Sequence, residues 1–142
     1  MSSHVPVVLV HGFMSTHHVL ALLRGRLERE GFRVYYSDLS AFCIQDVHRL
    51  AHQLETTIER VCDTEDVEEV DIVGVSHGGV ITMYYLRYLA GFEKVRRFVA
   101  VGAPVRGTWT ALVGLPILGG WSKGIWQLLP LSQISRKISE EL

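Results

Sequence analysis

Apolar positions in this chain fall into short solid runs that alternate with longer stretches of helical period. Val5 to Val10 is continuous except for Pro6, and reads as a buried strand with the proline at its start, where no ladder hydrogen bond is lost. A loop, His11 to Thr16, follows. From His17 to about Glu30, Leu20, Leu23 and Leu27 recur at helical spacing and Gly31 closes the helix. Arg33 to Leu39 reads as a second strand. Ile44, Val47, Leu50, Ala51, Leu54, Ile58 and Val61 form one helical stripe, which Asp63 to Asp66 is expected to end. Val70 to Val75 is a third strand, Gly78 to Leu89 a helix, and Val95 to Val101 a fourth strand that runs into Gly102-Ala103-Pro104. Four strands alternating with amphipathic helices predict a right-handed βαβ series. The fold class is therefore α/β, with a mostly parallel sheet covered on both faces. From Trp109 to Leu129 the chain turns Gly-rich and apolar without a clear period. A short helix, Leu131 to Leu142, is expected to end it, with Ser132 at the cap position.

Composition narrows the choice of partner. The chain has 142 residues, enough for one domain (1–142), and is 48% hydrophobic and 20% charged, so it can build a core. Fourteen basic residues against 15 acidic ones leave a net charge of -1, which gives no electrostatic reason to expect nucleic acid. Arg24, Arg26, Arg29 and Arg33 are interleaved with Glu28 and Glu30 and read as a solvated helix face. No apolar run approaches the roughly 20 residues of a membrane-spanning helix. The first residues lack the features of a signal peptide, so a cytoplasmic location follows if the chain is full length, and secretion if a leader has been removed. Cys43 and Cys62 lack metal-type spacing and read as ordinary helix residues. His48 and His52 stand four apart on a helix, but no further ligands accompany them, so neither a metal nor a cofactor is expected.

The chemistry concentrates in Gly74-Val75-Ser76-His77-Gly78, which joins an apolar strand to a helical pattern. A Gly-x-Ser-x-Gly bend in that context is a nucleophile elbow. The strand reverses sharply into the helix, the glycines leave room for the two to approach, and the serine hydroxyl stands above the sheet at the positive end of the helix dipole. The bland reading of the same serine is a helix cap in a Gly-rich turn. Acyl transfer also needs two backbone N–H groups aimed at the developing oxyanion. His77, after the serine, and Phe13, in the loop after the first strand, are the candidates. His11 reads as a loop-organising residue bonded to backbone rather than a proton carrier.

Three blocks, Val7 to Phe13, Gly74 to Gly79 and Val101-Gly102-Ala103-Pro104-Val105-Arg106-Gly107-Thr108, resemble the bacterial triacylglycerol lipases of the α/β-hydrolase superfamily, as does Gln127 to Ser132. The resemblance implies a three-layer fold with strand order 2-1-3-4 and hydrolysis of carboxylic esters bearing acyl chains. It implies Ser76 as nucleophile, and the amides of Phe13 and His77 as the oxyanion hole. The switch point of such a sheet falls between the strands carrying Phe13 and Ser76, where ligands bind beyond the strand ends. Residues 109–129, with Trp109, Trp121 and Trp126, are either a lid over an acyl site or a loop whose aromatics fill the core. The resemblance favours the lid.

One departure stands out. The superfamily carries its triad in the order Ser, acid, His. Here no Asp follows Asp71 and no His follows His77; the later carboxylates are Glu93, Glu140 and Glu141. A serine without a base attacks poorly. The chain is then expected to be truncated before the acid- and His-bearing elements, complemented by another chain or copy, equipped with an unusual base, or a non-catalytic acyl-binding or interaction module. His17 and His18 are the surrogate bases and Asp38 the acid that could orient one. The null for all three is surface or capping residues. The fourth strand, Phe98 to Val101, is expected to be an open apolar edge through which a second copy or a complementing chain could pair.

Overall fold

The computed structural model describes residues 5–12, 17–39 and 46–104. Its strands are β1 (Val7–Val10), β2 (Val34–Tyr36), β3 (Val70–Val75) and β4 (Val95–Val101). The helices are α1 (Ala21–Arg29), entered through a 3-10 turn at His17–Leu20, α2 (Val47–Glu65) and α3 (His77–Tyr88). All strands are parallel and the order is β2-β1-β3-β4, as expected. Helices lie on both faces, completing three layers.

Strand alternation explains how the layers are sealed. Val8 and Val10 of β1 and Ile72 of β3 face α2 and α3, where they meet Leu50, Leu54, Ile58, Ile81 and Tyr85. Val7 and Leu9 point the other way, and pack with Leu20 and Val34 against Leu23 and Leu27 of α1. β1 is thus buried on both faces, which is why it reads as an unbroken apolar run rather than an alternating one.

Two boundaries differ from the sequence expectation. α2 begins after Asp46, whose side chain accepts the His48 N–H at 2.8 Å, and it runs past Val61 to Glu65. The polar run Asp63 to Glu65 stays helical because Thr64 bonds back to the Arg60 carbonyl and Glu65 is held by Arg33 at 2.8 Å and by the Tyr35 hydroxyl. Asp66 ends the helix in the left-handed region, with φ 52°. β2 is three residues rather than seven. After Tyr36 the Ser37 N–H still reaches the Leu9 carbonyl, but the Asp38 N–H donates to Thr57 Oγ1 of α2 and draws the chain off the sheet.

Phe13, the side chain of His17, Cys43, the lid segment 109–129 with its three tryptophans, and the expected last helix all lie outside the described residues. Cys62 is buried in the α2 core as a free thiol, and burial raises its pKa. No helix among the described residues is long and apolar enough to cross a membrane.

Candidate active site

β3 delivers Ser76 and α3 begins one residue later, so a single residue makes the turn. It does so at φ 53° and ψ -124°, a conformation that L-residues avoid. Backbone hydrogen bonds hold it there. The Ser76 N–H donates to the Val101 carbonyl of β4 at 2.8 Å, and the Ser76 carbonyl accepts the Gly79 N–H at 3.0 Å. Ser76 is exposed, and its side chain makes no capping bond to α3. The cap reading of this serine therefore has no support: the hydroxyl sits at a helix N-terminus without satisfying it.

The glycines show why the bend closes only with this sequence. A Cβ on Gly74 would stand 2.8 Å from Gly79 Cα, and one on Gly78 would stand 2.3 Å from the Val10 carbonyl oxygen and 2.6 Å from that of His11. The start of α3 thus lies directly against the end of β1. That contact brings Gly12 to the serine: a Cβ there would be 3.1 Å from Ser76 Cβ and 3.5 Å from Ser76 Oγ. Gly79 was not singled out by the sequence, yet a Cβ on it would meet Ala103 Cβ at 2.5 Å, so this glycine lets the loop after β4 close over the turn. The doubled Gly78-Gly79 was the available signal.

His77 opens α3 on the same turn, so its backbone N–H belongs to the positive end of the helix. Its ring is buried, and desolvation lowers its pKa to about 4, leaving it neutral at pH 7. His11 is also buried and donates Nδ1–H to the Gly12 carbonyl at 3.2 Å, so it organises the loop. His18 is exposed on the 3-10 turn. Asp38 lies past the end of β2, where Arg60 donates to its carboxylate at 2.5 Å, so its described partner is an arginine rather than a histidine. A cavity of about 630 Å³ opens elsewhere, along β2, between Arg24, Tyr36, Asp38, Arg60 and Glu65; none of its walls belongs to the serine turn. His52 pairs with Glu55 at 3.0 Å, and the described residues contain no group of three or more metal-ligating side chains.

The strand order puts the crevice at a definite place. From β1 the chain moves outward to β2, then crosses back over β1 to β3, so the switch point lies between β1 and β3. Gly12 and Ser76 stand at the C-terminal ends of those two strands, where open α/β sheets bind ligands. The family described as alpha/beta hydrolase fold matches residues 5–138. The chain belongs to the α/β-hydrolase fold family. Among solved structures it is similar to the mature lipase BlEst2 of Bacillus licheniformis, with a TM-score of 0.82 and 16% identity over 99% of this chain and 60% of that one. Lipase B of Aspergillus fumigatus superposes with a TM-score of 0.79 at 19% identity, covering 96% of this chain and 34% of the lipase. The esterase EaEST of Exiguobacterium antarcticum gives 0.59 at 20% identity, covering 89% and 53%. The chain thus spans little more than half the length of the hydrolases it resembles, and at these identities the likeness speaks for the fold.

Proposed function

We propose that this α/β-hydrolase chain carries the nucleophilic half of a serine carboxylic-ester hydrolase of the lipase or esterase type. One observation carries the reading: Ser76 is forced to positive φ at the end of β3, with its hydroxyl exposed, unused as a helix cap and facing Gly12. Folding has no evident use for that strain, whereas a nucleophile that must stand clear of the sheet does.

In the proposed reaction Ser76 Oγ bonds to the ester carbonyl carbon and gives its proton to a base. The carbonyl oxygen becomes an oxyanion between the N–H groups of His77 and Phe13. Collapse breaks the bond to the alcohol, which leaves with that proton, and water then releases the acid from Ser76. The imidazoles nearest the serine in sequence are poor bases for this step, because His77 is buried and neutral and His11 is turned to backbone. His17 and His18, which open the segment after the His11–Gly12 loop, are the surrogates to test. Positioning and oxyanion stabilisation without a base leave roughly 10³ to 10⁴ over water.

The test is labelling by a fluorophosphonate probe together with p-nitrophenyl butyrate turnover. Wild type is expected to be labelled at Ser76 and Ser76→Ala to lose both label and turnover. Absence of label on folded wild type, or equal turnover in the two proteins, refutes the assignment and leaves an acyl-binding module in its place.

A further inference from the structure

The described sheet has two edges, and the chain treats them oppositely. β2 is three residues long and walled by charge: Arg24 pairs with Glu28 at 2.7 Å and lies over the Tyr36 ring, Arg33 pairs with Glu65, and Arg60 with Asp38. Short, charged edges resist further pairing. β4 is seven residues long and has a strand on one side only among the described residues. Its last five residues, Arg97 to Val101, contain no proline and pair with β3 in an unbroken register; the irregularity lies before them, between Val70 and Asp71 of the partner strand. Val99 is 53% and Val101 47% exposed on the α1 face, beyond the reach of that helix. Of the two arginines, Arg96 is already held by the Asp71 carboxylate through two hydrogen bonds of 3.0 and 2.6 Å.

We infer that β4 pairs antiparallel with β4 of a second copy about a two-fold axis through Val99, joining two four-stranded sheets into one. The choice of occupant rests on the strand's self-complementarity. In that register Val99 faces Val99 of the partner, Phe98 faces Ala100, and Arg97 lays its aliphatic stem over Val101. A large side chain meets a small one on the α3 face, the exposed valines cover each other on the opposite face, and no arginine opposes an arginine. A register centred on Phe98 would bring the two Arg97 side chains into diagonal contact. The contact is isologous and closed, so it yields a dimer and not a fibre. It is independent of the role assigned to Ser76.

Light scattering on the full chain is expected to give twice 16.0 kDa. Val99→Lys, which places two like charges opposite each other, is expected to give 16.0 kDa with unchanged far-UV circular dichroism. In a Cys43→Ser background, Val99→Cys is expected to form a covalent dimer on oxidation, because directly opposed Cα atoms stand about 4.5–5.5 Å apart. Val101→Cys, whose partner copy lies four residues away along the strand, is not. A monomeric wild type overturns the inference, as does an open series of aggregates. A dimer that survives Val99→Lys, or crosslinks through position 101 and not 99, also overturns it. A wild type that dimerises only with an added polypeptide assigns the edge to a complementing chain instead.

Discussion

The strain at Ser76 can be measured by removing the hydroxyl in two ways. Ser76→Ala and Ser76→Gly both delete Oγ, but only alanine keeps the Cβ that makes φ 53° and ψ -124° costly. That pair of angles is the first central position of a type II′ turn, the mirror of a common conformation and one that glycine adopts without penalty. A non-glycine residue in a sparsely populated region costs about 1–3 kcal/mol. Glycine gives back about 0.4–1 kcal/mol, because it loosens the unfolded chain. Ser76→Gly is therefore expected to exceed Ser76→Ala in stability by about 1 kcal/mol. At an m-value of about 2 kcal/mol/M, that is a midpoint difference of about 0.5 M in urea. Neither variant is expected to take the fluorophosphonate label. If the alanine variant is as stable as the glycine variant, the turn is unstrained and the argument that strain marks the nucleophile fails.

The neighbouring glycines give a matched pair of opposite sign. Gly78→Ala, which drives a methyl onto the Val10 and His11 carbonyls, is expected to cost 3 kcal/mol or more, whereas Gly25→Ala, with open space at the corresponding point on α1, is expected to gain about 0.5–1 kcal/mol in the same urea titration. Acid should weaken the fold through His77. The unfolded chain takes up a proton near pH 6.5 while the buried ring resists until about pH 4, so stability is expected to fall as pH drops across that window, by about 3 kcal/mol in all, and His77→Gln is expected to flatten the profile of unfolding free energy against pH. Leu54→Ala, at a fully buried position between α2 and the sheet, is expected to cost about 2–5 kcal/mol with no effect on probe labelling per folded molecule.

The sequence made the layers legible because each element announces its burial through its period. β1 reads as an unbroken apolar run since both of its faces are covered, and α2 as a single stripe since only one of its faces is. The bend at Ser76 was legible for a different reason: close backbone approach leaves glycine as the usable residue, so Gly74 and Gly78 record a tertiary contact in the local sequence. Contacts that leave no such constraint were invisible. Nothing in Glu65 indicates that Tyr35 and Arg33, thirty residues earlier, will hold it and lengthen α2 by a turn. Likewise Asp38 looks available as an acid until Arg60 is found beside it, since pairing across elements depends on the three-dimensional placement of two side chains and not on the spacing of either.

The proposed site draws its geometry from backbone more than from side chains. Three strands converge on one residue. β3 presents Ser76, β4 accepts its N–H through the Val101 carbonyl, and β1 sets the Gly12 loop beside its hydroxyl by seating the Val10 carbonyl against Gly78. Each of these contacts depends on parallel register, in which Val10 pairs with Gly74 and Val75 with Val101. A shift of one residue in either ladder would turn every side chain on the strand to the other face and carry the serine away from its neighbours. The apolar alternation that seals the core therefore also fixes the position of the hydroxyl. For the same reason β4 matters to the site although it contributes no reacting group: it is the outermost described strand, and it holds the Ser76 N–H. Any partner that steadies its open edge would steady the turn as well, so Val99→Lys is expected to slow probe labelling of Ser76 in proportion to the fraction of chains it leaves as monomer.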